Sequence, residues 1–188
     1  MRRLFIFILK LFGWSYELTV EVPDKCVICV APHTSNWDYV VGMLFYLSVI
    51  GKTPHVLMKK ELFIFPLNRL FKSMGGIPVD RGKNTLVSDQ MVELFKLKNR
   101  LQLAIAPEGT RKKTARWKTG FYHIAVNACV PIALAYIDYS KKVAGFNKIF
   151  YPTGDYKTDI EEIQRHYKDV KAKYPDRFAT NINPAPVP

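Results

Sequence analysis

The chain has 188 residues, 48% of them hydrophobic, which is enough for one domain with a packed core. Its 28 lysine and arginine residues outnumber the 16 acidic ones, and the formal net charge of +12 indicates an anionic partner: a phospholipid surface, a phosphorylated substrate or nucleic acid. Three cysteines cannot form a paired framework, so the composition excludes a disulfide-stabilised scaffold and favours a reducing compartment.

Residues 1–14 form the first segment and combine an apolar run with flanking cations. The run from Leu4 to Leu9 is far shorter than the roughly 20 residues that a membrane-spanning helix needs. Lys10 interrupts it and no small-residue cleavage site follows, which disfavours a secretory signal peptide. Trp14 is a ring of the kind that settles at the headgroup boundary. We therefore predict an interfacial membrane helix, with an ordinary helix packed on the domain as the alternative.

The first polar motif, Ala31-Pro-His-Thr-Ser-Asn-Trp-Asp38, lies between two apolar runs that predict a strand over 26–31 and a helix over 37–50. His33 then stands at the carboxyl end of a strand, where ligands bind in α/β sheets. Asp38 falls in the first helical turn, where the helix dipole favours a carboxylate. The pair is either a structural hydrogen-bonded pair or the base and orienting group of a catalytic triad without its nucleophile, so that the substrate supplies the hydroxyl.

Cys26 and Cys29 have a spacing that also occurs in zinc sites. Residues three apart on a strand point to opposite faces, so their thiols should not converge, and no second pair of ligands follows at zinc-site spacing. We expect both of them, and Cys129, to be buried as small hydrophobic side chains.

The rest of the chain alternates between strand and helix patterns. Strands are predicted over 17–22, 55–58, 77–79, 101–106, 131–139 and 143–150, and helices over 85–100 and 118–128. Thr158-Asp-Ile-Glu161 is a capping-box start for a last helix, and residues 183–188 form a flexible proline-rich tail. This alternation predicts an α/β fold with a mostly parallel sheet flanked by helices, which brings the loops at His33 and Glu108 to one edge.

Two further motifs are Gly75-Gly-Ile-Pro-Val-Asp-Arg81 and Pro107-Glu-Gly-Thr-Arg111. With the H-x-x-x-x-D motif and Val130-Pro-Ile132, they resemble, in order, the four blocks of the glycerolipid acyltransferase family, whose best-known members are the 1-acyl-glycerol-3-phosphate acyltransferases. Ser35 matches the serine that follows the histidine by two positions in that family. The resemblance covers about residues 30–136 and implies that residues 15–182 form a glycerol-3-phosphate acyltransferase-like domain.

The resemblance also implies the reaction. An O-acyltransferase of this kind moves a fatty acyl group from an acyl thioester, on acyl carrier protein or coenzyme A, to the free hydroxyl of a lysophospholipid such as 1-acyl-glycerol-3-phosphate in phospholipid biosynthesis. No metal and no further cofactor are expected. His33 is the predicted general base and Asp38 its orienting partner. The predicted substrate-binding residues are Ser35, Arg81, Glu108, Gly109, Thr110 and Arg111, with the two arginines near the acceptor phosphate and Glu108 near its glycerol part.

Other functions stay open at this point. Pro32, Ala106, Lys112 and Leu134 depart from residues common in the family and leave room for a different lyso-lipid acceptor, such as an amino-acid lipid. A lipid hydrolase with the same His–Asp pair and a non-catalytic basic protein that binds membrane or nucleic acid are the rival classes. No zinc-finger, helix-turn-helix or RNA-binding aromatic motif is evident, so no nucleic-acid partner is expected.

The substrates are amphiphiles, and we expect a peripheral protein on the cytoplasmic face of the cell membrane, bound to its anionic surface. The side chains expected to contact lipid are Leu4, Phe5, Ile8, Leu11, Phe12 and Trp14, flanked by Arg2, Arg3 and Lys10.

Overall fold

The computed structural model of the protein describes residues 2–79 and 87–180. The strands are β1 (Ser15–Leu18), β2 (Lys25–Val30), β3 (His55–Lys59), β4 (Gly76–Val79), β5 (Leu101–Ile105), β6 (Ile132–Asp138) and β7 (Val143–Phe150). The helices are α1 (Arg2–Leu11), α2 (Asn36–Val49), α3 (Leu67–Ser73), α4 (Val87–Leu97), α5 (Gly120–Asn127) and α6 (Tyr156–His166), with short 3-10 turns at Lys60–Leu62 and Pro175–Arg177.

The seven strands form one sheet in the order β1-β7-β6-β2-β5-β3-β4. Every neighbouring pair is parallel except β6 and β7, which are antiparallel. The central strand β2 pairs with β5 on one side and β6 on the other, and its residues 26–29 are fully buried. A parallel strand covered on both faces needs an unbroken apolar run, and this one has it. The predicted α/β fold with a mostly parallel sheet is confirmed.

Helices cover both faces of the sheet. Cys26 and Ile28 pack with residues of α1 and α2, whereas Val27 and Cys29 pack with residues of α4, α5 and α6. The two cysteines therefore lie on opposite faces, as their spacing predicts. Cys129, by contrast, is exposed. It follows α5 in the left-handed region, at φ 52°, where the chain leaves the helix, so the prediction that it is buried is wrong.

Several boundaries differ from the predicted ones. The last helix begins before Thr158, because the Asp155 side chain caps it by accepting from the backbone N–H groups of Lys157 and Thr158. The first strand is shorter than predicted and starts at Ser15. Residues 62–71, interpreted from sequence only as an aromatic stretch, overlap with α3, which runs from Leu67 to Ser73. The predicted tail at 183–188 lies outside the described residues.

The amino-terminal helix α1 packs on α2. The guanidinium of Arg2 donates to the carbonyl oxygens of Ser48 and Val49, at 2.6 and 2.7 Å, and so caps the end of α2. Leu9 is the buried residue of α1. Other apolar side chains of this segment are exposed, namely Leu4, Phe7, Leu11 and Phe12. No helix within residues 2–79 and 87–180 has the length and apolar character needed to cross a bilayer.

Candidate active site

The turn between β2 and α2 is a capping box. Ser35 is the N-cap of α2, and its hydroxyl accepts from the backbone N–H of Trp37 at 3.2 Å. Asp38, three residues on, accepts from the backbone N–H groups of Thr34 and Ser35 with one carboxylate oxygen, both at 2.7 Å. This reciprocal bonding fixes where the helix begins and points the Asp38 carboxylate back at the turn. Ser35, predicted to bind substrate, is buried in this cap.

His33 and Asp38 form the pair that the sequence predicts. His33 Nδ1 lies 3.3 Å from Asp38 Oδ2, and the imidazole keeps 22% of its surface exposed whereas the carboxylate keeps 2%. Burial would raise the pKa of Asp38, but hydrogen bonds from His33, Tyr139 and the Ser35 N–H outweigh it and lower that pKa. Asp38 is therefore charged at neutral pH and holds the imidazole by Nδ1, so that Nε2 is the nitrogen available for proton transfer.

Tyr139 is a site residue that the motifs do not include. It follows β6 directly, and its hydroxyl donates to Asp38 Oδ1 at 2.7 Å. Its ring meets the ring of Trp14 edge-on, with the centroids 5.1 Å apart. Burial and the neighbouring carboxylate raise the pKa of Tyr139, so the hydroxyl stays a donor. The sequence indicated a role for Tyr139 only through its position at the carboxyl end of a predicted central strand.

Glu108 reaches the same turn from the loop after β5. Its Oε1 accepts from the backbone N–H of His33 at 2.8 Å, which confirms that the two loops converge. The side chain is buried, and Oε2 has no hydrogen-bond partner within the described residues. Burial raises the pKa of Glu108, although the His33 N–H partly opposes this. The carboxylate thus holds the His33 backbone in place, and its contact with an acceptor glycerol stays a prediction.

A pocket of about 570 Å³, the basic pocket, opens beside His33. Its lining residues are His33, Ala106, Gly109, Thr110, Arg111, Lys112 and Arg177. Gly109 has a φ of 63°, a left-handed conformation that favours glycine, and a Cβ there would also displace the Lys118 side chain. Four of the predicted site residues therefore line one pocket. Arg81 lies outside the described residues.

Arg177 is the second site residue that the sequence motifs miss. It belongs to the carboxyl-terminal 3-10 turn, and its guanidinium lies over the Tyr174 ring, 4.3 Å from the centroid. The turn is held against the catalytic motif because the Tyr174 N–H donates to Thr34 Oγ1 at 3.2 Å. A lone arginine far from the four motifs gives no sequence signal of its own.

A second space, the apolar cavity, has a volume of about 650 Å³ and also reaches His33. It lies between α2 and the sheet and extends to the start of α5. Its wall combines Gly42 and Met43 of α2 with apolar side chains of five strands, among them Ile28, Val56, Ile137 and Phe146. His33 is thus common to the basic pocket and the apolar cavity.

Comparison with known proteins gives a family and several relatives. Residues 16–137 match the profile of the Acyltransferase family. The 1-acyl-sn-glycerol-3-phosphate acyltransferase of Escherichia coli K12 is 30% identical, over 74% of this chain and 59% of its own. Its counterpart in Haemophilus influenzae is 32% identical, over 65% and 53%, and that of Cocos nucifera is 30% identical, over 60% and 37%. The chain therefore spans only between 37% and 59% of the length of these relatives.

Among solved structures, the fold is similar to that of PlsC, the 1-acyl-sn-glycerophosphate acyltransferase from Thermotoga maritima. The TM-score is 0.61, with 19% sequence identity, over 88% of this chain and 74% of the other. At this identity the likeness concerns the fold.

Proposed function

The chain belongs to the acyltransferase family, and from this premise we propose that it transfers a fatty acyl group from an acyl thioester to the free hydroxyl of 1-acyl-glycerol-3-phosphate, in phospholipid biosynthesis. The relatives that carry this activity in their names support the acceptor. The acyl group would come from coenzyme A or acyl carrier protein.

One observation carries the proposal: the His33 imidazole lies where the apolar cavity and the basic pocket meet. The two substrates together bring an apolar chain, a reactive hydroxyl and an anionic head group. The cavity suits the apolar chain, the pocket suits the anionic head group, and the imidazole borders both. A hydrolase needs only water at the imidazole, so hydrolysis does not account for the exposed cations that line a pocket with His33.

In the proposed step, His33 Nε2 takes the proton of the acceptor hydroxyl as its oxygen attacks the thioester carbonyl carbon. The carbon–sulfur bond then breaks, and the imidazolium returns the proton to the leaving thiolate. Asp38 holds the imidazole in the tautomer with Nδ1 protonated and stabilises the imidazolium. General-base help of this kind contributes about 10²–10⁴-fold to the rate.

The anionic head group is proposed to bind in the basic pocket. Arg111, Lys112 and Arg177 are exposed there beside His33, and an arginine grips a phosphate with two parallel hydrogen bonds. The proposal retains the predicted substrate contacts of Arg81, Glu108, Gly109 and Thr110. The acyl chain is proposed to occupy the apolar cavity, because burying its apolar surface there contributes binding affinity that needs no specific polar contacts.

A single assay tests the proposal. The purified protein is incubated with a labelled acyl thioester of coenzyme A or acyl carrier protein, with and without 1-acyl-glycerol-3-phosphate. Label should enter a two-chain phospholipid only when the acceptor is present. Release of free fatty acid at one rate in both samples would indicate a hydrolase, and no turnover with either donor would leave a non-catalytic binding protein. An amino-acid lyso-lipid, run in parallel, distinguishes the acceptors.

We further propose that the protein works as a peripheral protein on the cytoplasmic face of the membrane. Of the side chains predicted to contact lipid, Leu4, Leu11 and Phe12 are exposed, whereas Phe5, Ile8 and Trp14 are half-buried. The exposed ones, together with Phe7, support the predicted role of this segment at the membrane interface. Arg2 contacts α2 instead of standing free beside lipid. Replacing Leu11 and Phe12 by serine should lower binding to anionic vesicles, and unchanged binding would contradict this role.

A further inference from the structure

Residues 62–70 expose large apolar side chains that the proposed reaction does not use. The exposed fraction is 61% for Ile64 and 84% for Phe65, the highest of any large hydrophobic side chain in the described residues. Contiguous apolar patches on a protein surface mark interaction sites, whereas single exposed apolar side chains are common. The exposed residues, which together we call the α3 surface, are Leu62, Ile64, Phe65, Leu67 and Leu70.

The segment that carries the α3 surface is anchored to the sheet from its inner side. Phe63 and Phe71 turn inward, with their ring centroids 5.9 Å apart. A Cβ at Gly76 would lie 2.7 Å from the Phe71 carbonyl oxygen and 3.0 Å from Phe63 Cζ, so this contact is as close as glycine allows. The exposed side chains are thus presented outward by a segment that is packed in place.

The α3 surface lies on the same face of the sheet as α1 and α2. Val56 is paired with Ala104, and Ala104 with Ile28, whose side chain packs with α2. Met58, two residues after Val56, points the same way, and the hypothetical Gly76 Cβ would meet it together with Phe71 of α3. One layer therefore holds the exposed residues of α1, the wall of the apolar cavity formed by α2, and the α3 surface.

Charge around the α3 surface is positive. Residues 59–72 contain four cations, Lys59, Lys60, Arg69 and Lys72, and one acidic residue, Glu61. Lys59, Arg69 and Lys72 are exposed. Exposed apolar side chains with cations nearby in the same segment are complementary to an anionic bilayer, where the apolar side chains enter the interface and the cations meet the lipid phosphates.

We propose that the α3 surface docks on an anionic lipid bilayer, as a second contact beside α1, and so brings the apolar cavity to the membrane. The purpose of this docking rests on the proposed function, since an enzyme whose acceptor and product are both lipids must exchange them with a membrane. The docking itself is measured without any turnover.

The test is flotation of the full-length protein with phosphatidylcholine vesicles that do or do not contain phosphatidylglycerol. The double variant Ile64→Ser/Phe65→Ser should partition at least about tenfold more weakly into the anionic vesicles. Leu97→Ser is the matched control: Leu97 is 81% exposed, but it lies on α4, on the other face of the sheet. Its partitioning should not change. Equal partitioning of the double variant and the unaltered protein would overturn the proposal.

A charge variant gives an independent readout. Arg69→Glu/Lys72→Glu should lose binding to anionic vesicles and keep what binding there is to neutral ones, with the difference shrinking at high salt. Arg165→Glu/Lys168→Glu is the control with the same change in net charge, at two exposed residues in and just after α6, across the sheet. If both charge variants lose binding equally, the net charge and not this surface attracts the protein, and the proposal fails.

Light scattering without lipid tests a second copy of the chain as the occupant. A dimer that Ile64→Ser/Phe65→Ser dissociates would assign the α3 surface to self-association and overturn membrane docking. The substituted side chains are exposed, so thermal unfolding should be unchanged in every variant. If the unaltered protein binds through this surface but transfers no acyl group, the proposed function fails and the docking stands.

Discussion

The two sides of His33 are built in opposite ways. On the Asp38 side, polar groups are buried, and Asp38 accepts from two backbone N–H groups and the Tyr139 hydroxyl at 2.7 Å each. On the Arg111 side, the cations of the basic pocket are exposed. Proton transfer needs a group fixed to within a fraction of an ångström, whereas a charged head group is attracted over longer distances. The contrast predicts that substitutions on the first side change turnover and those on the second change acceptor binding.

The largest effect is expected from the group that both sides share. His33→Ala removes the proposed general base and should cut kcat/KM by at least about a hundredfold, the low end for this kind of catalysis, with the fold intact. Asp38→Asn should approach this loss, because it spoils the tautomer of His33. His123→Ala is the control, since His123 is exposed on α5 and lines neither pocket. Near-normal turnover in His33→Ala would contradict the proposed mechanism.

Tyr139→Phe tests the buried side alone. Losing one hydrogen bond to a charged group should lower kcat about tenfold and leave the acceptor KM unchanged. Because that bond helps to lower the pKa of Asp38, the acid limb of the pH–rate profile should move to higher pH in the variant. Tyr151→Phe, at an exposed tyrosine, should change neither quantity. A change confined to KM would show that Tyr139 acts on the acceptor and not on Asp38.

Arg177→Ala tests the exposed side. It should raise the acceptor KM about tenfold with little change in kcat, because it removes one charge-assisted contact. Arg177→Lys should restore part of the loss, since lysine keeps the charge but not the paired hydrogen bonds. Arg165→Ala serves as the control. If the KM of the acyl donor rises in place of the acceptor KM, the pocket holds the phosphates of the donor.

The smallest effect is on stability, through Glu108→Gln. The pKa of Glu108 is raised in the folded protein, so its protonated form is favoured there, and stability falls as pH rises from the unfolded value of about 4.5 through the folded one. Glutamine keeps an oxygen for the His33 N–H and does not titrate. The unfolding temperature of the variant relative to the unaltered protein should therefore increase from acid to neutral pH. A constant difference across that range would mean that Glu108 is not the titrating group.

How far the sequence predicts the site depends on how local each contact is. The Ser35-x-x-Asp38 spacing is a capping box, so the place of Asp38 follows from four neighbouring residues. The approach of Glu108 follows from the parallel sheet. The role of Tyr139 depends on where β6 ends, which the sequence indicates only by its place at the end of an apolar run, and that of Arg177 depends on how the carboxyl-terminal turn packs, which leaves no pattern in the chain. The sequence pattern did not predict α3, because its outward side chains are apolar too, so the alternation of apolar and polar residues with a 3.6-residue period is absent.

The strand order has a consequence for how the protein folds. Among the described strands, sequence neighbours pair only in β3–β4 and β6–β7, while β2 lies between β5 and β6, which come much later in the chain. Three hydrogen bonds that tie the catalytic turn to other loops span 75, 101 and 140 residues. Contacts between residues so far apart in the chain form slowly, because the chain loses conformational entropy when the intervening loop closes, before the packing contacts that compensate for this loss have formed. Refolding should therefore recover helical structure well before activity, with the lag set by the closing of the sheet around β2.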